Sequence, residues 1–313
     1  MLASLACMAA AGLALTATGA RAETLAERLG YRATDRLLII NGDDTGMCHA
    51  ANAATFDCLD HGLMTSATIM VPCPWFPEVV RYAREHPTAD LGVHLCHTSE
   101  WTLYRWGPVA PRAEVPGLVD PEGYLWRQEQ DVFRHATPEQ AVTEARAQVR
   151  RALDAGIDVT HLDSHMGAMQ YDPAYHRAYL KLARELRLPV RMASASTYER
   201  LGFGHIRAEA AAAALVFPDY LIHEEEPAPG ESRKSFWMRI LRELKPGVTE
   251  LYIHASVPDD EARAIANTWK ERGEDYAVFT HDPDVRRLIA DSGIIRIGYR
   301  PLRDLQRKGA PGR

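Results

Sequence analysis

Short apolar runs alternate along the chain with longer stretches whose apolar positions recur at helical spacing. Asp35 to Asn41, Ser66 to Val71, Asp90 to Leu95, Asp158 to Leu162, Leu188 to Ala193, Glu250 to His254 and Ile294 to Tyr299 are brief and partly β-branched, which predicts buried strands. His49 to His61, Trp75 to Glu85, Pro138 to Leu153, Pro173 to Leu186, Asp259 to Arg272 and Asp282 to Asp291 are amphipathic, and several open with Pro or Asp, as helix starts do. A repeated strand-then-helix order implies a parallel sheet with helices outside it. About seven such units in one domain predict an α/β fold, a parallel (β/α) barrel that is a distorted or incomplete TIM-like barrel. A doubly wound open sheet is the alternative. Two stretches break the rhythm. Residues 97 to 135 carry Trp101, Tyr104, Trp106, Tyr124 and Trp126 among Pro and Gly, and residues 205 to 235 join an Ala-rich run to three consecutive acids. The aromatic content marks the first as an ordered loop, expected to wall the active site.

The chain has 313 residues and a formal net charge of -6, which leaves nothing to drive counterion release from a phosphate backbone and excludes a nucleic-acid binder of the usual kind. An Ala/Leu-rich run from Leu2 to about Leu15 is followed by small residues and by Ala20-Arg21-Ala22, a cleavage pattern before Glu23. Residues 1–22 therefore read as a signal peptide, without the usual basic start, and residues 23–313 as one barrel domain. The expected location is periplasmic or extracellular, with no stable membrane insertion after cleavage, since the run is too short and Ala-rich to span well. Cys48, Cys58, Cys73 and Cys96 would remain, and a chain of this size needs no disulfides to fold, so buried free thiols are expected.

Chemistry gathers where strands end. Asp43 and Asp44 follow the first run, His94 ends the third, His161 and His165 the fourth, Arg191 the fifth and His254 the sixth. In parallel α/β folds that end builds the site. Paired acids there offer one carboxylate to a metal and leave the other as a base. A lone histidine of this kind is more often packed than ligating, and Asp44 could simply cap a helix; recurrence at one end argues against packing alone.

With these residues the chain resembles the YdjC-like carbohydrate deacetylases, which include the chitooligosaccharide deacetylases. The resemblance runs from Leu37 to about Tyr299. It rests on Ile39 to Gly46 (IINGDDTG), like the family's N-A-D-D-F-G; on Gly62 to Thr68 (GLMTSAT); on Leu91 to Leu95 (LGVHL); on Thr160 to His165 (THLDSH), identical to the family pattern; and on Pro246 to His254 (PGVTELYIH). The chain departs from the family at Thr45, at Met166 to Met169 and at Ala255, next to these residues, which puts the pocket's shape and the substrate in question.

The resemblance implies that Asp44, His94 and His165 bind one divalent ion, that Asp43 is the general base and that His254 is a candidate general acid. Two imidazoles and one carboxylate suit zinc, with magnesium or another divalent ion as alternatives. The H-x-x-x-H spacing alone also admits His161 as a ligand, and Asp163 is expected to orient a ligand from behind. Arg191 would keep Asp43 ionised by pairing with it, and Trp101, Tyr104 and Trp106 would offer apolar faces to a sugar ring. The implied reaction is hydrolysis of an N-acetyl group on an amino-sugar-containing oligosaccharide or glycan. Other metal-assisted work on sugars (phosphoester or O-acetyl ester hydrolysis, isomerisation) and a non-catalytic glycan-binding protein are the alternatives. The intact Asp43-Asp44 pair speaks against the last.

Overall fold

A computed structural model describes residues 22–222 and 226–308. The expected signal peptide, save Ala22, lies outside the described residues. Seven parallel strands form one sheet: β1 (Arg36–Thr45), β2 (Ser66–Ile69), β3 (Leu91–Leu95), β4 (Val159–Ser164), β5 (Tyr220–Ile222), β6 (Gly247–Ile253) and β7 (Ile294–Arg296). The order is β4-β3-β2-β1-β6-β5, with β7 beside the start of β1. The helices are α1 (Leu25–Arg28), α2 (His49–Asp60), α3 (Phe76–Glu85), α4 (Glu129–His135), α5 (Pro138–Asp154), α6 (Pro173–Leu186), α7 (Ala195–Arg200), α8 (Ile206–Ala212), α9 (Arg233–Arg242), α10 (Asp260–Ile265), α11 (Trp269–His281), α12 (Pro283–Asp291) and α13 (Arg300–Lys308). This is the α/β, distorted and incomplete (β/α) barrel that the alternation predicts.

Two expected elements differ. Leu188 to Ala193 is not a full strand; it makes a single bridge, Val190 with Leu162 of β4, while Val190 N–H donates to Val216 O on the other side. Pro189 has no N–H to continue a ladder. The strand on the far side of this gap is β5, inside a stretch that reads as an insertion. Asp259 to Arg272 is likewise broken: Ala266 takes an extended conformation and ends α10, and α11 starts afresh at Trp269. That break turns Asn267 and Thr268 toward the cavity described below.

Strand alternation sorts the core into two layers. Leu38 and Ile40 of β1 pack outward in the large cluster beneath the helices, while Leu37 and Ile39 face inward with Val248 and Tyr299. Leu25 and Ala26 of α1 and Leu302 of α13 join that inner cluster, so the amino end of the barrel is packed shut. Inward positions nearer the carboxyl end are polar instead, and there the site is built.

Candidate active site

Adjacent strand residues normally face opposite sides of a sheet. Asp43 and Asp44 escape that rule because the pairing of β1 with β2 shifts register between Gly42 and Thr45, and Asp44 sits at φ +63°, in the left-handed region. Both carboxylates therefore line the same cavity of about 440 Å³, together with His94, His165, Arg191 and His254.

Three side chains converge most closely. His94 Nε2 and His165 Nδ1 are 3.3 Å apart, and each is 3.4 Å from Asp44 Oδ1, a buried oxygen without a hydrogen-bond partner. Their far atoms are tied. His94 Nδ1 lies 2.7 Å from Asp163 Oδ1 and His165 Nε2 lies 2.9 Å from Glu100 Oε2; a carboxylate only accepts, so in each neutral ring the proton sits on that far nitrogen and the inward one carries a lone pair. Asp44 Oδ2 is held by Arg272 Nη2 at 2.8 Å. Donors at ~2.0–2.1 Å from a tetrahedral ion lie ~3.3–3.4 Å from one another. The triangle matches that spacing, so these residues fit a divalent metal with nitrogen and oxygen ligands.

The electrostatics agree. Burial opposes charge on either imidazole, yet Asp163 and Asp43 raise His94 to about 10, and Glu100 and Asp44 raise His165 to about 9. A positive charge is drawn to this point, and protons compete for it. Burial would likewise raise the Asp43 carboxyl, but Arg191 overrides it and holds Asp43 well below the usual carboxylate range. Arg191 Nη1 and Nη2 each reach an Asp43 oxygen at 2.7 Å, and the same buried guanidinium contacts Asp163 at 3.0 Å and Glu250 at 2.8 Å. Asn41 Nδ2 donates to Asp43 Oδ1 at 2.8 Å, and Thr68 donates to Asp163 Oδ2 at 2.9 Å. Asp43 and Asp163 are thus each held in place in turn.

His254 Nε2 stands 3.9 Å from Asp44 Oδ2 with 36% of its side chain exposed. Burial and the nearby Arg272 lower its pKa to about 4, against the attraction of Asp44, so the resting ring is neutral rather than the imidazolium that a waiting general acid would be. His161 does not join the triangle. It faces the barrel interior one layer below Asp163, bonded to Thr160 and stacked on Tyr299 at 3.7 Å, with its pKa driven well down by burial. Trp101 lines the cavity, but Tyr104 and Trp106 stand behind it: Trp106 is 3% exposed, and the Tyr104 hydroxyl is spent on Met47 O. The four cysteines of the described residues are free and buried.

A family model described as YdjC-like protein matches residues 37–291. The chain belongs to the YdjC-like family. Among similar proteins, a carbohydrate deacetylase of Thermus thermophilus is 35% identical over 270 residues, covering 85% of this chain and 94% of its own. A carbohydrate deacetylase of Thermoanaerobacter pseudethanolicus is 26% identical over 268 residues, 86% of this chain and all of its own. A crystal structure from Enterococcus faecalis V583, provisionally assigned to cellobiose-phosphate cleavage, superposes with a TM-score of 0.74 at 26% identity, covering 86% of this chain and 99% of that one. In this YdjC-like site, three groups are given no role by motif reading: Glu100 and Arg272, which lie outside the motifs, and Glu250, which lies within the one from Pro246 to His254. The signals for them are faint: a lone acid before Trp101, an inward-facing acid within β6, and a cation just past a helix break.

Proposed function

We propose that this enzyme, whose relatives are carbohydrate deacetylases, is a metal-dependent hydrolase that removes an N-acetyl group from an amino-sugar-containing glycan. The observation that carries the reading is the triangle of two inward-facing ring nitrogens and an orphaned carboxylate oxygen, spaced as metal ligands are, with a second, ionised carboxylate beside it. Asp44, His94 and His165 would hold the ion, and the mixed nitrogen and oxygen set favours zinc over magnesium. When bound, such an ion polarises the acetyl carbonyl and acidifies water.

The chain's own groups do the rest. Asp43, kept ionised by Arg191, accepts a proton from the attacking water. Because Arg191 engages both oxygens, Asp43 cannot swing away, which fixes the direction of that transfer. His254 opens on the cavity from the end of β6. The proton that Asp43 takes from the water is the one the departing amine needs, and His254, neutral at rest, would receive it and, with its lowered pKa, pass it readily to that amine. Trp101 supplies a flat apolar wall on which a sugar ring can lie.

A phosphoester reading would call for two ions. The second possible grouping, Asp43 with His94 and Asp163, shares His94 with the first and already surrounds the Arg191 guanidinium, which leaves no separate place for a cation. We further propose export of a chain beginning near Glu23, which cell fractionation with N-terminal sequencing tests. For the activity, zinc-loaded protein would be screened for acetate release over N-acetylated and O-acetylated sugars. Release from neither set, with metal bound at one ion per chain, rules the reading out.

A further inference from the structure

The far atom of each of the three converging side chains is held by a charged partner. Asp163 comes from β4 and Arg272 from α11, both part of the barrel, whereas Glu100 belongs to the long aromatic loop between β3 and α4. That loop is firmly tied around Glu100. Ser99 N–H donates to Trp126 O at 2.7 Å, and the Ser99 hydroxyl accepts from Trp106 N–H at 2.9 Å and from Arg105 Nε at 3.3 Å. The Glu100 side chain keeps only 19% of its surface exposed.

A neutral imidazole without an acceptor at one nitrogen can carry its proton on either. On His165, a proton at Nδ1 would block the atom that faces Asp44 and His94. We infer that Glu100 is a positioning residue that holds His165 in the one tautomer and ring orientation able to ligate, so that the aromatic loop sets metal affinity as well as the substrate wall. The inference rests on the metal reading above. It is independent of which glycan is cleaved.

The full chain, stripped of metal, is titrated with Zn²⁺ in competition with a chromophoric chelator. Glu100→Ala should weaken zinc binding by about 10–100-fold, the usual cost of removing a carboxylate behind a ligating histidine. Glu100→Gln, which keeps an acceptor oxygen, should recover most of that loss. Glu114→Gln, which removes an exposed charge from the same loop, should change nothing, so an effect of net charge is separated from one of position. In zinc-loaded wild type, nitrogen NMR of the His165 ring should place the proton on Nε2. A Glu100→Ala affinity within twofold of wild type, in a variant whose thermal melt shows it folded, overturns the inference alone, as does a proton found on Nδ1. Failure of the wild type to bind Zn²⁺ overturns the metal reading and this inference together.

Discussion

Replacing Asp43 by Asn removes one negative charge and one proton acceptor while leaving a side chain of the same size against Arg191. The guanidinium keeps its contacts with Asp163 at 3.0 Å and Glu250 at 2.8 Å, so its charge stays compensated and the fold should lose only about 1–2 kcal/mol, the cost of a buried charged hydrogen bond weakened to a neutral one. Arg191→Ala is the contrast: it strands several buried carboxylates at once and should cost about 3–5 kcal/mol or more. The Asp43 variant should also keep its metal, because Asp44 Oδ1, His94 Nε2 and His165 Nδ1 are untouched. Turnover should nevertheless fall about 10²- to 10⁴-fold, or about 3–5 kcal/mol in the barrier, because Asp43 is the carboxylate held beside the triangle to accept the proton. The assay is acetate release by variants matched for zinc content and melting temperature. Wild-type rates in Asp43→Asn would remove Asp43 from the mechanism, and loss of zinc from that variant would make it a ligand.

The other expectations are narrower. His94→Ala and His165→Ala should each empty the metal site, read by elemental analysis after dialysis, whereas His161→Ala should leave it filled; the reverse pattern would reassign the ligands. Gly92→Ala should destabilise the fold by about 1–3 kcal/mol in urea unfolding, because a Cβ there would lie 2.5 Å from the buried His161 ring; an unchanged midpoint would mean that the ring has room to move. Burial lowers His97 to about 4 while its unfolded value is near 6.5, so the unfolded chain takes up the proton first as pH falls. Its share of stability is whole above about 6.5 and drains away between there and about 4. His97→Gln, able to keep the bond to Ala141 O, should therefore lose about 2 kcal/mol less than wild type between pH 7 and pH 5, and equal losses would refute the assignment.

Much of the barrel was readable because buried strands and amphipathic helices leave different periods in the chain. What escaped was held by few bonds or by none of its own. β5 has only three residues, and its neighbour around Pro189 never forms a ladder. The candidate ligands were legible for a related reason: one Asp or His at the end of an apolar run can be explained by capping or packing, but their recurrence at the same end of several runs cannot. Glu100 and Arg272 belong to no such pattern. An acid in an aperiodic loop and an arginine in an amphipathic helix look like solvated surface, and only the folded chain brings them against His165 and Asp44. Likewise nothing in a row of residues says that Trp101 would screen Tyr104 and Trp106 from the cavity.

The barrel closes unevenly, and the gap between β4 and β5 is its seam. Few backbone bonds cross there, so among the ways the barrel wall could part, separation along Leu188 to Ala193 sacrifices the least. Arg191 lies in that seam. Its side chain reaches over to β1, β4 and β6 at once, stitching with ion pairs the one place where the ladder does not. The placement of Asp43 and the integrity of the barrel wall thus hang on the same guanidinium. Any fluctuation that opens the seam would also part Asp43 from its counter-ion and leave the carboxylate free to turn away from the triangle for as long as the seam stands open.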